Sequence, residues 1–122
     1  MMSFIVDTNV WVAYFEKNEA CREIIDENLL KTPSLVFAEL SRVFARRKLN
    51  EKETQEFLDF VEQKSIVLDL DLSHAIRGGA LSERERLPFA DALIYAYASD
   101  EEPLVTNDSH FKGKPFVKFV ER

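Results

Sequence analysis

Residues 3–9 run Ser3-Phe4-Ile5-Val6-Asp7-Thr8-Asn9. A short apolar run of strand formers stops abruptly at an acid and two turn-forming polar residues. So brief an apolar run reads as a buried strand. Asp, Thr and Asn are cap and turn residues, so a helix is expected to start where the strand ends. Trp11, Tyr14 and Phe15 then recur at helical spacing between Val10 and Glu16.

The alternation continues down the chain. A second helix is expected from Glu19 to Asn28, followed by a break at Thr32-Pro33-Ser34 and a weakly marked strand near Lys31 to Leu35. From Leu35 to Arg47, Val36, Leu40, Val43 and Phe44 recur with helical period. Asn50, with Glu53 three residues later, forms a capping-box pattern for a helix reaching about Gln63. Ser65-Ile66-Val67-Leu68 is a second clear strand. Asp71 or Ser73 caps another helix, which Gly78-Gly79 is expected to interrupt or loosen. Pro88 fits the first turn of a helix through Ala98. Pro103 to Thr106 is a third strand, and Phe116 to Val120 a last one at an edge. Strands alternating with helices imply an α/β fold with a mainly parallel sheet.

At 122 residues, the chain is expected to be one domain, 1–122, because two cores would each be marginal. Apolar residues at 46% and charged residues at 31% exclude a disordered chain. The single cysteine, Cys21, rules out an internal disulfide and fits a reducing compartment. No apolar run suits a membrane span or a secretory signal, so a cytoplasmic setting is expected. The net charge of −6 argues against a nucleic-acid enzyme unless acids hold metal ions, which reverse the local sign.

Four acids fit that condition. In open α/β sheets, ligands bind beyond the carboxyl ends of the strands. Asp7 directly follows the first strand, and Asp108 lies two residues beyond Thr106. Glu39 shares a helix face with Val36 and Val43. Asp91 sits in Pro88-Phe89-Ala90-Asp91-Ala92-Leu93-Ile94-Tyr95-Ala96-Tyr97-Ala98, a helix apolar nearly all round. The helix dipole offers such an acid only ~0.3–1 kcal/mol, too little for deep burial. Clustered carboxylates repel one another, and Mg²⁺ or Mn²⁺, hard ions that prefer oxygen ligands, relieve this. Each acid also has a plainer role: Asp7 and Asp108 as helix caps, Glu39 paired with Arg42, Arg46 or another cation, Asp91 as a dipole partner.

These segments resemble PIN-domain ribonucleases, particularly the VapC-type toxins of toxin–antitoxin pairs. Phe4 to Val10 resembles that family's first acidic motif, and Glu39 within Ser34 to Arg42 its second. Asp91-Ala92-Leu93-Ile94 resembles the third, and Leu104 to Phe111 the fourth. The resemblance spans nearly the whole chain. It implies a three-layer α/β/α sandwich around a mainly parallel sheet of about five strands. It implies Mg²⁺- or Mn²⁺-dependent cleavage of RNA, a homodimer, and inhibition by a cognate antitoxin whose tail covers the site. It further implies that Thr8 and Asn9 organise the loop of the first acid and that Thr106 supports the metal site through its hydroxyl.

Two basic clusters are candidates for phosphate contact: Arg42, Arg46, Arg47 and Lys48, and Arg77, Arg84 and Arg86. Both also read as solvated helix faces. Trp11, Tyr14 and Phe15 are expected in core or dimer packing rather than under bases. Alternatives in function are a non-catalytic PIN-like module binding RNA or protein, and a PIN nuclease of RNA processing. An aspartyl-phosphate enzyme or receiver domain also places an Asp after a strand. Its versions want a second acid two residues on, where Asn9 stands, or an early acidic pair with a late lysine.

Overall fold

The opening tetrapeptide forms the centre of the sheet. The computed structural model describes residues 1–121. In it β1 (Ser3–Val6) pairs in parallel with β2 (Leu29–Pro33) on one side and β4 (Leu104–Thr106) on the other. Outside these lie β3 (Ile66–Leu68) and β5 (Val117–Phe119), giving the order β3-β2-β1-β4-β5 with every pair parallel. The helices are α1 (Thr8–Phe15), α2 (Glu19–Glu27), α3 (Ser34–Arg46), α4 (Glu51–Lys64), α5 (Leu72–Glu85) and α6 (Phe89–Tyr95), with a short 3₁₀ turn at Ser109–Phe111. Five parallel strands flanked by six helices make the expected α/β/α sandwich. No helix of the described residues is long and apolar enough to cross a membrane.

The chain steps outward from β1 to β2 and β3, then returns through α5 and α6 to the opposite side of β1. The strand order therefore reverses between β1 and β4, the place where open α/β sheets form a crevice. Register brings the two strand ends level. Val6 pairs with Val105, and the Asp7 N–H donates to the Val105 carbonyl at 3.1 Å.

The central strands carry almost no polar side chains because both faces are covered. Ile5, Val6, Leu104 and Val105 are fully buried with Trp11, Ile25, Val36, Leu40, Ile94 and Phe111. Trp11 donates its indole N–H to Thr32 Oγ1 at 3.3 Å and contacts Tyr14 and Phe15. Phe44, Phe57 and Phe60 extend this aromatic cluster. Trp11 and Phe44 are buried, Tyr14, Phe15 and Phe57 pack partly buried against the core, and Phe60 lies exposed at the margin, so Trp11 is unavailable to a base.

Local chemistry sets most helix starts. Asn50 and Glu53 form the expected capping box, with both reciprocal bonds present. Asp71, rather than Ser73, caps α5 by accepting from the His74 N–H. Other expectations need correction. Gly78-Gly79 does not interrupt α5, which runs unbroken because α6 packs onto it. A Cβ at Gly78 would lie 2.6 Å from Leu93 Cδ2 and 3.0 Å from Leu93 Cα, so this glycine permits the approach. Pro88 is the N-cap of α6, one residue outside the helix, and α6 ends at Tyr95 before a looser turn through Ala98. The weak strand near Lys31 to Leu35 is the full strand β2, shifted two residues earlier.

Candidate active site

The ends of β1 and β4 place Asp7 and Thr106 side by side, and one hydroxyl links the strand-end acids. Asp7 caps α1, accepting from the Thr8 N–H through Oδ1 at 2.9 Å. Its Oδ2 accepts from Thr106 Oγ1 at 2.7 Å. Thr106 Oγ1 accepts in turn from the Asp108 N–H at 3.0 Å. Asp108 caps the 3₁₀ turn by accepting from the His110 N–H at 2.9 Å. On α3, Glu39 accepts from Thr8 Oγ1 at 2.6 Å, which ties that helix to the first loop. Asp91 occupies the first turn of α6, partly buried, with its Oδ2 3.3 Å from His110 Nδ1. The same nitrogen lies 3.1 Å from Asp108 Oδ1.

Asp7, Glu39, Asp91 and Asp108 line one cavity of about 180 Å³, together with Thr8, Asn9, Arg42, Val43 and Arg46. The crevice between β1 and β4 thus gathers acids from two strand ends and two helices. Asp7 is 3% exposed, and its pKa is pushed up to about 7. Burial is the largest cause. Asp91 and Glu39 push the same way, while the bonds from Thr106 and Thr8 oppose them. Asp91 is also raised, first by burial, then by Asp108 and Glu39, with His110 pulling it back. A carboxyl in this position resists ionisation until a cation arrives.

The plainer roles hold in part. Asp7 and Asp108 are indeed caps, and each still faces the cavity. The proposed pairing of Glu39 with Arg42 or Arg46 does not occur among the described residues; Thr8 takes that place. Thr8 and Asn9 line the cavity, and Thr106 lies buried beneath it, bonded to Asp7. His110 is the residue that sequence reasoning missed. Its position two residues after a strand-end acid was the only hint, and its partner Asp91 lies on a different element. The basic clusters divide: Arg42 and Arg46 reach the cavity, whereas Arg47 pairs with Glu16 and Arg84 with Glu85. Beside Asp108, the Asn107 amide nitrogen is buried without a hydrogen-bond partner.

The donor set suits a hard divalent ion. Asp91, Asp108 and His110 each offer one ligand atom, and these lie within 4.8 Å of one another. Carboxylate oxygens dominate the wall, the preference of Mg²⁺ and Mn²⁺. Asp7 and Asp91 are raised chiefly by burial and further by their acidic neighbours, and an ion bound among them would favour their charged forms.

A family model described as PIN domain matches residues 4–117. No curated protein matches the sequence. Among solved structures, a toxin–antitoxin complex from Klebsiella pneumoniae is similar at TM-score 0.77 and 18% identity, covering 98% of this chain and 99% of that one. VapBC2 from Rickettsia felis, bound to a DNA fragment from its promoter, is similar at TM-score 0.72 and 24% identity, covering 98% of each chain. DNA-bound VapBC from Salmonella typhimurium is similar at TM-score 0.69 and 24% identity, covering 99% of this chain and 98% of that one. At these identities the structural likeness speaks for the fold, while the family match spans most of the first strand, all four acids and the last strand's start. The chain belongs to the PIN domain family.

Proposed function

We propose that this chain is a Mg²⁺- or Mn²⁺-dependent ribonuclease that hydrolyses RNA phosphodiester bonds as the VapC-type toxin of a toxin–antitoxin pair. The observation that carries the reading is the convergence of Asp7, Glu39, Asp91 and Asp108 on one cavity at the β1–β4 crevice. These four acids would hold the ion. When bound, it supplies a water of lowered pKa and offsets the charge that develops on the scissile phosphate. Thr106 fixes Asp7 through Oδ2 and Asp108 through its N–H, so both carboxylates are aimed before any ligand arrives. Thr8 fixes Glu39, and Asn9 borders the same cavity. The side chains hold position, and the chemistry needs little motion from them.

All 122 residues act in this reading as a single PIN-like unit that works as a homodimer in the cytoplasm. The toxin role and the antitoxin partner rest on the likeness to complexes described as toxin–antitoxin and VapBC assemblies. The antitoxin is a protein whose tail covers the acidic cavity.

The test is cleavage of RNA by purified protein with Mg²⁺, with Mn²⁺ and with EDTA. Activity is expected only with metal. Asp7→Asn and Asp91→Asn should each lose more than the ~10–100-fold typical of an outer-shell metal partner. Full activity in either variant would sink the mechanism. Growth arrest on expression, relieved by the neighbouring gene's product, tests the toxin role. Cleavage without growth arrest would favour a nuclease of RNA processing. Light scattering of the purified chain tests the dimer.

A further inference from the structure

Glu39, Arg42, Val43 and Arg46 occupy positions i, i+3, i+4 and i+7 on α3, so they form one stripe along the helix. All four line the acidic cavity. Arg42 and Arg46 are exposed and, among the described residues, form no ion pair with any carboxylate. This is unusual company for an unpaired guanidinium, because Glu39 stands on the same stripe and three more acids line the same cavity. Glu39 is engaged elsewhere, by the Thr8 hydroxyl at 2.6 Å. Arg22, Arg77 and Arg86 also form no ion pair among the described residues, but only Arg42 and Arg46 line the acidic cavity, and two other arginines are paired. Arg47 reaches Glu16 at 3.2 Å and Arg84 reaches Glu85 at 3.5 Å. Arg77 and Arg84 line a separate cavity with Tyr95 and Phe116.

A chain of net charge −6 with four carboxylates in one cavity repels a polyanion over most approaches. The arginine fork matches phosphate oxygens bidentately, and one without an internal partner breaks no ion pair to bind. Resting on the ribonuclease reading above, we propose that Arg42 and Arg46 are the substrate grip, clasping backbone phosphates of a single RNA strand laid along α3. Arg42, three residues from Glu39, takes the phosphate nearer the scissile bond. Arg46, a turn further on, takes a more distant one. Such contacts confer affinity and strand position without choosing sequence.

The experiment measures steady-state cleavage of a fluorescein-labelled, mixed-sequence single-stranded RNA in Mn²⁺ across a salt series. Binding of the same RNA is followed by anisotropy in an Asp91→Asn background. Arg42→Ala and Arg46→Ala should each raise KM and Kd roughly tenfold, leaving saturated kcat within about twofold. Each should reduce the slope of log K against log salt by about 0.7, the single-strand value per phosphate. Arg42→Lys and Arg46→Lys should restore the slope but only part of the affinity, since lysine keeps the charge and loses the fork. Arg84→Ala, at a residue that lines a separate cavity, should change nothing. Wild-type KM, Kd and salt slope in Arg42→Ala and Arg46→Ala would overturn the grip even if RNA is cut. Arginine-dependent binding without cleavage would support the grip and overturn the nuclease reading. Neither binding nor cleavage by the wild-type chain would overturn both.

Discussion

Replacing Asp7 by asparagine should make the metal-free protein more stable at neutral and alkaline pH while removing its activity. Asp7 is buried, and its pKa rises from 3.8 to about 7. A displacement of that size corresponds to about 4 kcal/mol. Below pH 3.8 the carboxyl is protonated in both folded and unfolded chains. Between 3.8 and about 7 the folded chain holds a proton that the unfolded chain has released, so stability falls as pH rises. Above about 7 the whole cost is present. Asparagine keeps an oxygen for the Thr8 N–H and can donate to Thr106 Oγ1 from its amide. The Thr106 hydroxyl hydrogen then lacks its acceptor, an offset of about 1 kcal/mol. The net gain at pH 8 is therefore about 3 kcal/mol. At roughly 3–5 °C per kcal/mol for a domain of this size, Tm should rise by about 9–15 °C. At pH 4 the variant should be no more stable than the parent. Thermal melts of both proteins in EDTA from pH 4 to 8 provide the assay. The difference between them removes Asp71, Glu85 and Glu102, whose pKa values are lowered and which titrate alike in both, and reports Asp7 together with its coupling to Asp91 and Glu39. A variant no more stable than wild type at pH 8, or a difference that does not change with pH, would refute the reasoning.

Gly78→Ala should destabilise by about 1–3 kcal/mol in urea denaturation, because its Cβ meets Leu93 at 2.6 Å and backbone at 3.0 Å. Gly79→Ala, whose Cβ would meet nothing within 4 Å, should stabilise by about 0.4–1 kcal/mol. Equal effects at the two glycines would contradict the α5–α6 packing. Thr106→Val should cost about 1–3 kcal/mol by leaving the Asp108 N–H and Asp7 Oδ2 without their partner, with Thr106→Ser recovering most of it. Calorimetry at pH 7 checks this, and an unchanged Tm would show the hydroxyl to be dispensable. Saturating Mg²⁺ or Mn²⁺ should raise Tm, with about 2.7 kcal/mol gained at a hundred times Kd. The shift should vanish in Asp91→Asn; a shift that survives there would place the ion elsewhere.

How much could be read from sequence depended on whether the deciding interaction was local. The β1–Asp7–α1 junction and the Asn50–Glu53 box are settled within seven residues, and both form as the chain suggests. Asp91 was conspicuous because an apolar helix surrounds it. The course of α5 was not legible, since glycine propensity argues for a break that only the approach of Leu93 overrules. Strand β2 was faint because Lys31, Thr32 and Pro33 dilute its apolar pattern. Only its place between β1 and β3 completes its pairing. His110 became meaningful when the loop after β4 came to rest beside α6. The arginines after Glu39 formed one undifferentiated run in sequence. Helical phase separates Arg42 and Arg46 from Arg47.

The scaffold and the site draw on the same atoms, and the fold resolves this by giving three of the four acids a neutral partner. Asp7 receives a backbone N–H and a hydroxyl, Glu39 a hydroxyl, and Asp108 a backbone N–H. No lysine or arginine neutralises any of the four among the described residues; only His110 approaches two of them. Neutral donors fix geometry without cancelling charge, so the repulsion that adds to burial in raising Asp7 and Asp91 persists. The bond from Thr8 to Glu39 is the most informative of these contacts. Arg42 lies three residues from Glu39 on the same helix, a spacing at which such pairs can meet. Thr8 holds Glu39 Oε1 at 2.6 Å, and Arg42, which lines the same cavity, closes no ion pair with that carboxylate among the described residues. The acidic wall and the basic stripe thus stand side by side without neutralising one another.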